Sequence, residues 1–245
     1  SSMFSLFLKE IKGFFNSVTG YIVIIVFLII NGLIMWVFPG ELNVLDSGYA
    51  SMDTLFTIAP WVFLFLVPAV TMKTFADEKK SGTIELLITR PLTDLQIILS
   101  KYLASIVLIL LALIPTLVYY VTIYSLGNPA GNIDSGGTWG SYLGLFFLGA
   151  VYAAIGVFSS SLTTNQVISF ILAIAVCFFL YAGFESVSMM NIDNQFSSFI
   201  IKLGINEHYQ SISRGVIDSR DLIYFLGVIM LFIVLTKTSL QSRKW

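Results

Sequence analysis

Asp77, Glu78, Lys79, Lys80, Glu85, Arg90 and Asp94 all fall within one stretch, residues 76–94, which reads ADEKKSGTIELLITRPLTD. Charge of both signs flanks a short apolar run, TIELLI, and a partly apolar helix in that setting calls for a groove to bury in. The chemistry this suggests is docking. Elsewhere the chain is poor in reactive groups. His208 is the only histidine and has no second His or Cys to complete a metal site, so packing is its expected role, as for Met189 and Met190. Cys177 is the only cysteine and lies in an apolar run, which excludes a disulfide framework and a multi-thiolate metal centre. A phosphate-cradling G-x-x-x-x-G-K-[ST] loop is absent, so ATP is not bound here in that mode.

The elements that must position residues 76–94 follow from composition. The chain has 245 residues, 57% hydrophobic and 11% charged, whereas soluble domains carry about 25% charged residues. The matching solvent is a bilayer. A net charge of −1 offers no field to attract nucleic acid. The sequence opens SSMF, and Met3 is the expected natural start.

A spanning helix needs about 20 mostly apolar residues. Six segments qualify: 20–38, 54–72, 102–126, 140–160, 167–184 and 222–236, the last extending toward Leu240. None has an Asp, Glu, Lys, Arg or His inside it. Intramembrane ionisable groups mark proton relays and ion paths, so their absence argues against an ion-coupled transporter, a pump with its own proton path and an intramembrane hydrolase. Ten of the 13 basic residues fall on one side: Lys9, Lys12, Lys73, Lys79, Lys80, Arg90, Lys101, Lys237, Arg243 and Lys244. Lys202, Arg214 and Arg220 fall on the other, so the positive-inside rule places both termini and residues 76–94 in the cytoplasm. The expected fold is an all-α polytopic membrane protein of six transmembrane helices, a single domain over 1–245.

Local signals refine this frame. Phe4, Phe7, Leu8, Ile11, Phe14 and Phe15 recur at helical spacing, predicting an amphipathic interface helix over 3–16. Tyr119, Tyr120, Tyr124, Trp139 and Tyr142 cluster at the outer level of spans three and four. Gly140 and Gly144, Gly149 and Ala153, and Ala150 and Ala154 put small residues on shared faces of span four, suiting a helix contact within the chain or between chains. Pro60, Pro68 and Pro115 are expected to kink spans two and three. In the outer loop, 185–221, Phe196, Phe199, Ile200 and Leu203 predict an amphipathic or re-entrant helix. Asp193, Glu207, Asp218 and Asp221 there give no sharp ligand signal.

Within 76–94, Ser81-Gly82 breaks one helix and Thr83 is a candidate N-cap for the next, with Ile84, Leu86, Leu87 and Ile88 apolar. Arg90-Pro91 closes it, and Thr93 or Asp94 starts the helix leading into span three. The short helix either docks on a partner or packs on this protein's own membrane face.

The segment EKKSGTIELLITRPLTDLQIILSKYLAS resembles the cytoplasmic signature of ABC-2 type transporter permeases, E-x-x-x-G-T-x-E-x-L-x-x-x-P followed by a helix with a Lys near its start. Glu78, Gly82, Thr83, Glu85, Leu87, Pro91 and Lys101 carry the match. WVFLFLVPAVTMKTFADEKKSGTIELL, IPTLVYY and LGLFFLGAVYAAIGVFSSSLTTNQ resemble, more narrowly, the gliding-motility-associated permease subfamily of Bacteroidetes-type bacteria.

The resemblance implies a permease subunit of an ATP-driven exporter in the bacterial inner membrane, paired with a cytoplasmic ABC ATPase that binds ATP and Mg. It implies a second permease subunit too, either a related chain or a copy of this one. It makes residues 82–91 the coupling helix, with Ile84, Leu86, Leu87 and Ile88 buried against the ATPase. Glu78, Glu85 and Arg90 would make polar contacts or fix the helix ends, and residues 161–166 would form a second, smaller contact. Rival readings are a non-transporting anchor for the ATPase in a larger assembly, and an ATP-independent channel or scramblase.

Overall fold

The computed structural model describes residues 2–190 and 194–242; Ser1, Asp193, Arg243 and Lys244 lie outside them. The first helix, α1 (Met3–Asn16), precedes α2 (Thr19–Gly32), which runs on through a π-helical turn at Leu33–Val37. A short α3 (Val44–Ser47) leads to α4 (Asp53–Thr71). Two short helices follow, α5 (Ala76–Ser81) and α6 (Ile84–Ile88). The next helix, α7 (Asp94–Leu113), passes a 3-10 turn at Ile114–Thr116 and continues as α8 (Leu117–Leu126). Beyond it, α9 (Ser135–Ser161) is a single long helix, and α10 (Gln166–Phe178) continues through a π turn into α11 (Phe184–Met189). The chain ends with α12 (Asn194–Ile201), α13 (Ile205–Ser213) and α14 (Ser219–Gln241).

Six helical runs, starting at Thr19, Asp53, Asp94, Ser135, Gln166 and Ser219, are long and apolar enough to cross a membrane, and the described residues contain no strand. The protein is an all-α polytopic membrane protein. Six crossings return the chain to the side from which it started, so α1, α5, α6 and the end of α14 share one end of the bundle.

The axis of the bundle is α9, buried over most of its length, whereas α10 and α14 bury only one face each. Its small residues make that possible. A methyl group on Gly140 would lie 2.5 Å from the Ile212 oxygen of α13, one on Gly149 3.0 Å from Ile109 of α7, and one on Gly156 1.8 Å from Thr71 Oγ1 of α4. The small-residue face therefore serves contacts within the chain. Without hydrophobic drive between helices in lipid, such close backbone approach is what packs them.

The prolines behave differently from one another. Pro60 and Pro68 are buried inside a continuous α4, while Pro115 lies in the 3-10 turn that splits α7 from α8. The run Asp94–Leu126 is 33 residues long, about 50 Å at 1.5 Å per residue, so it projects beyond the hydrocarbon core.

Two amphipathic segments differ from the sequence expectation. On α1 the residue buried against the bundle is Leu6, 2% exposed, while Phe4 at 64% and Leu8 at 37% point away from it. The other spaced apolar residues, Phe7, Ile11, Phe14 and Phe15, are half-buried, and Phe14 and Phe15 pack against Val23, Val70 and Leu108. The outer loop holds two helices. On α12, Phe196 and Phe199 are exposed and Ile200 is buried; the more polar α13 buries Ile205, Tyr209 and Ile212 against α9.

Candidate coupling site

Below span two the chain turns at Met72–Phe75 and enters α5. A helix start leaves main-chain N–H groups without intrahelical partners. Here Ser160, at the foot of α9, supplies one: its Oγ accepts from the N–H groups of Phe75 at 2.8 Å and Ala76 at 3.0 Å, and donates to the Met72 oxygen at 3.1 Å. Asp77 of α5 accepts from the Gln166 side chain at the start of α10. One short helix is thereby fixed to spans four and five.

Span three is joined through charge. The ammonium of Lys101 lies 2.9 Å from Glu10 Oε1 of α1 and 3.0 Å from Glu78 Oε1 of α5. The lysine side chain is 2% exposed and the two glutamates 21% and 17%. The ring of Phe75 lies 5.4 Å below the ammonium and adds a cation–π contact. Ser100, one residue earlier, donates to the Met3 oxygen at 3.1 Å and ties the start of α1 to the same helix. Burial pushes the Glu78 carboxyl above the ordinary carboxylate range, while the Lys101 charge and hydrogen bond pull it back down. Its second oxygen, Oε2, is buried with no hydrogen-bond partner among the described residues.

Gly82 ends α5 with a φ of +75°, the left-handed conformation glycine adopts without strain. The chain can thus reverse tightly into α6. Thr83 does not cap α6: it has helical dihedrals, and its hydroxyl pairs with Ser81 Oγ at 2.9 Å. The helix itself covers Ile84–Ile88, shorter than the expected 82–91, and ends before Arg90-Pro91. Thr93 then forms a capping box with Gln96 that starts α7.

The four apolar residues of α6 divide between two faces. Leu87 is 4% exposed and Ile84 packs against the bundle core, whereas Leu86 is 66% and Ile88 37% exposed. Glu85, Arg90 and Pro91 are exposed. Ile84 and Leu87 thus hold the helix to its own protein, and Leu86 and Ile88 are the two of the four left exposed. Glu78 is likewise turned inward as an ion-pair partner. A hollow of about 470 Å³ adjoins the exposed face, lined by Ile88, Leu92, Leu95 and Lys237 among others. The sequence reading missed Glu10, Asp77, Ser160 and Gln166 as contributors. Lys101 was the available signal, a single base at the foot of an apolar helix with no acid beside it in sequence.

The described residues contain no cluster of His, Cys, Asp and Glu able to hold a metal. This arrangement defines a class: a six-span helical membrane protein with an apolar, chargeless interior and a braced polar module at one end. Residues 7–245 match the family described as ABC-2 family transporter protein, and the chain belongs to that family. It is the permease component of an ABC transporter, a membrane subunit and not the catalyst. No curated protein matches the chain.

Proposed function

We propose that this permease is driven through α6 by a separate cytoplasmic ABC ATPase, which carries the ATP and Mg. The observation that carries the reading is the exposure of Leu86 and Ile88 on a helix whose opposite face is locked to the bundle. Burying those two remaining exposures supplies about 2 kcal/mol, enough for an anchor point with polar support from Glu85 and Arg90. In this reading α1, α5 and α6 lie in the cytoplasm, the membrane is the bacterial inner membrane, and the direction is export. The basic residues favour that orientation. A second permease subunit, a related chain or another copy, completes the pathway. The link to gliding motility rests on the three sequence segments quoted above.

The test is co-purification with ABC ATPase subunits of the same organism. Leu86→Asp with Ile88→Asp is expected to abolish association while the protein inserts and folds at normal yield. Leu87→Asp is a different experiment, because it places a charge in the core and damages folding. Unchanged association of the double variant refutes the coupling assignment. Substrate-stimulated ATP hydrolysis by the wild-type complex separates a transporter from a passive anchor, and lipid or ion movement without ATP would favour a scramblase or channel.

A further inference from the structure

Where α1 packs on the foot of span three, the two helices leave a groove of about 450 Å³ between them. Met3, Phe4 and Phe7 of α1 and Leu103, Ile106 and Val107 of α7 line it, and among the described residues no polar side chain does. Leu103 is 39% exposed, and from it an exposed apolar stripe runs along span three through Leu110, Ile114, Val118 and Val121 at helical spacing. On a helix that crosses a membrane, such a stripe faces hydrocarbon. The groove is therefore one end of a lipid-facing track, closed on one side by α1.

The charges of α1 are divided by face. Its one acid, Glu10, is turned inward onto Lys101. Its two bases, Lys9 and Lys12, are exposed and form no ion pair among the described residues. The exposed charge of the helix is thus wholly positive. At 3.6 residues per turn both lysines lie around the flank that begins at Leu8, and their long stems carry the ammonium groups toward headgroup level. An occupant of the groove must be apolar along its length and negative at one end. A phospholipid with an acidic headgroup has that form. A second copy of this chain, inserted in the same orientation, brings its own Lys9 and Lys12 to the same level, where like charges repel.

We propose that this groove binds an acyl chain of an anionic phospholipid, with the negative charge of the headgroup held by Lys9 and Lys12. The lipid joins α1 to span three beside the two polar ties already present, Ser100 to the Met3 oxygen and Lys101 to Glu10. The inference requires only that α1 lie at a bilayer surface, and it stands independently of the coupling role proposed for α6.

The test is native mass spectrometry of the full-length protein in mild detergent, titrated with phosphatidylglycerol or with phosphatidylcholine of the same chain length. Wild type is expected to bind the first phosphatidylglycerol roughly tenfold more tightly, since each lysine near anionic headgroups contributes about fivefold before salt screening. Lys9→Gln with Lys12→Gln is expected to bring the two lipids to equal affinity with an unchanged unfolding midpoint. Val107→Trp, which fills the groove from span three, is expected to weaken both lipids by roughly fivefold or more. Val107→Phe is the smaller filling that replaces it if the tryptophan lowers the yield. Equal binding of the two lipids by wild type overturns the proposal, as does a preference that survives the lysine substitutions. Lipid binding unchanged by the groove-filling variants also overturns it, and if those variants instead turn a dimer into a monomer, the groove belongs to a second copy.

Discussion

Lys101→Met keeps the aliphatic stem and deletes the ammonium that joins α1, α5 and α7. Breaking a buried ion pair by removing one partner costs about 3–5 kcal/mol, because a charge is left buried and uncompensated. Two carboxylates lose their partner here. Each retains some contact with water, at 21% and 17% exposure, which places the expected cost near the lower end, about 3 kcal/mol. That is a shift of more than a hundredfold in the folded-to-unfolded ratio.

The assay is denaturant unfolding in a mild detergent, read as a lowered midpoint with unchanged slope. The deficit also depends on pH. In the variant the main opposition to desolvation of Glu78 is gone and only the weaker pull of Lys9 remains, so its folded pKa stands further above the unfolded value of about 4.3. A raised carboxylate contributes stability that is present below the unfolded value and lost as pH rises through the folded one. The variant is therefore expected to lose least in acid and most at neutral pH and above. Adding Glu10→Gln and Glu78→Gln removes the stranded charges and is expected to recover most of the loss, since replacing every partner of a buried pair is far cheaper than removing one. A single variant within about 0.5 kcal/mol of wild type would remove the network from the account. A triple variant as unstable as the single one would show that the methionine itself disrupts packing.

Two further substitutions test the bracing of the same module and the bundle axis behind it. Ser160→Ala leaves the Phe75 and Ala76 N–H groups without their acceptor and is expected to cost about 2 kcal/mol, seen as a lower unfolding midpoint and faster amide exchange at 75–78. Gly156→Ala drives a methyl group against Thr71, with Oγ1 at 1.8 Å and Cβ at 2.8 Å. It is expected to destabilise by about 1–3 kcal/mol, and Thr71→Ala should restore only part, because the Cβ clash persists.

The features that could be read in the sequence were those with a long or punctuated signature. Six apolar runs gave six crossings, and Gly82, Pro91 and Thr93 punctuate 76–94 much as their backbone preferences require. What escaped was orientation within short helices and pairing between distant ones. In a five-residue helix with four apolar positions, periodicity has no room to say that Leu87 turns inward while Leu86 turns outward. On α1 the apolar pattern is divided, Phe4 and Leu8 turned outward and Phe14 and Phe15 packed on the bundle, because lipid rewards apolar side chains as much as protein does. Leu6 and Glu10, which face α7, form no visible stripe. The polar look of INEHYQSIS concealed the helix whose Ile205, Tyr209 and Ile212 pack on α9. His208 and Asp221 are 13 positions apart on separate helices, and only the fold joins them.

The bracing of α5 bears on how a push at α6 would travel. A five-residue helix attached only by its ends would tilt under load and dissipate the motion. Here its inner face is seated by Ile84 and Leu87, and the preceding helix is fixed to α9 by Ser160, to α10 by Gln166, and to α7 and α1 by Lys101. The compliant points are Gly82 and the Arg90-Pro91 bend, both at the margins of α6. Displacing α6 inward therefore loads spans two to five through these ties, and span six through its packing along α9 and α7, where the Ser239 hydroxyl also donates to the Ser161 oxygen at 3.2 Å. On the proposed reading, loosening the Lys101 hub leaves the ATPase attached to a ledge that no longer carries the bundle with it.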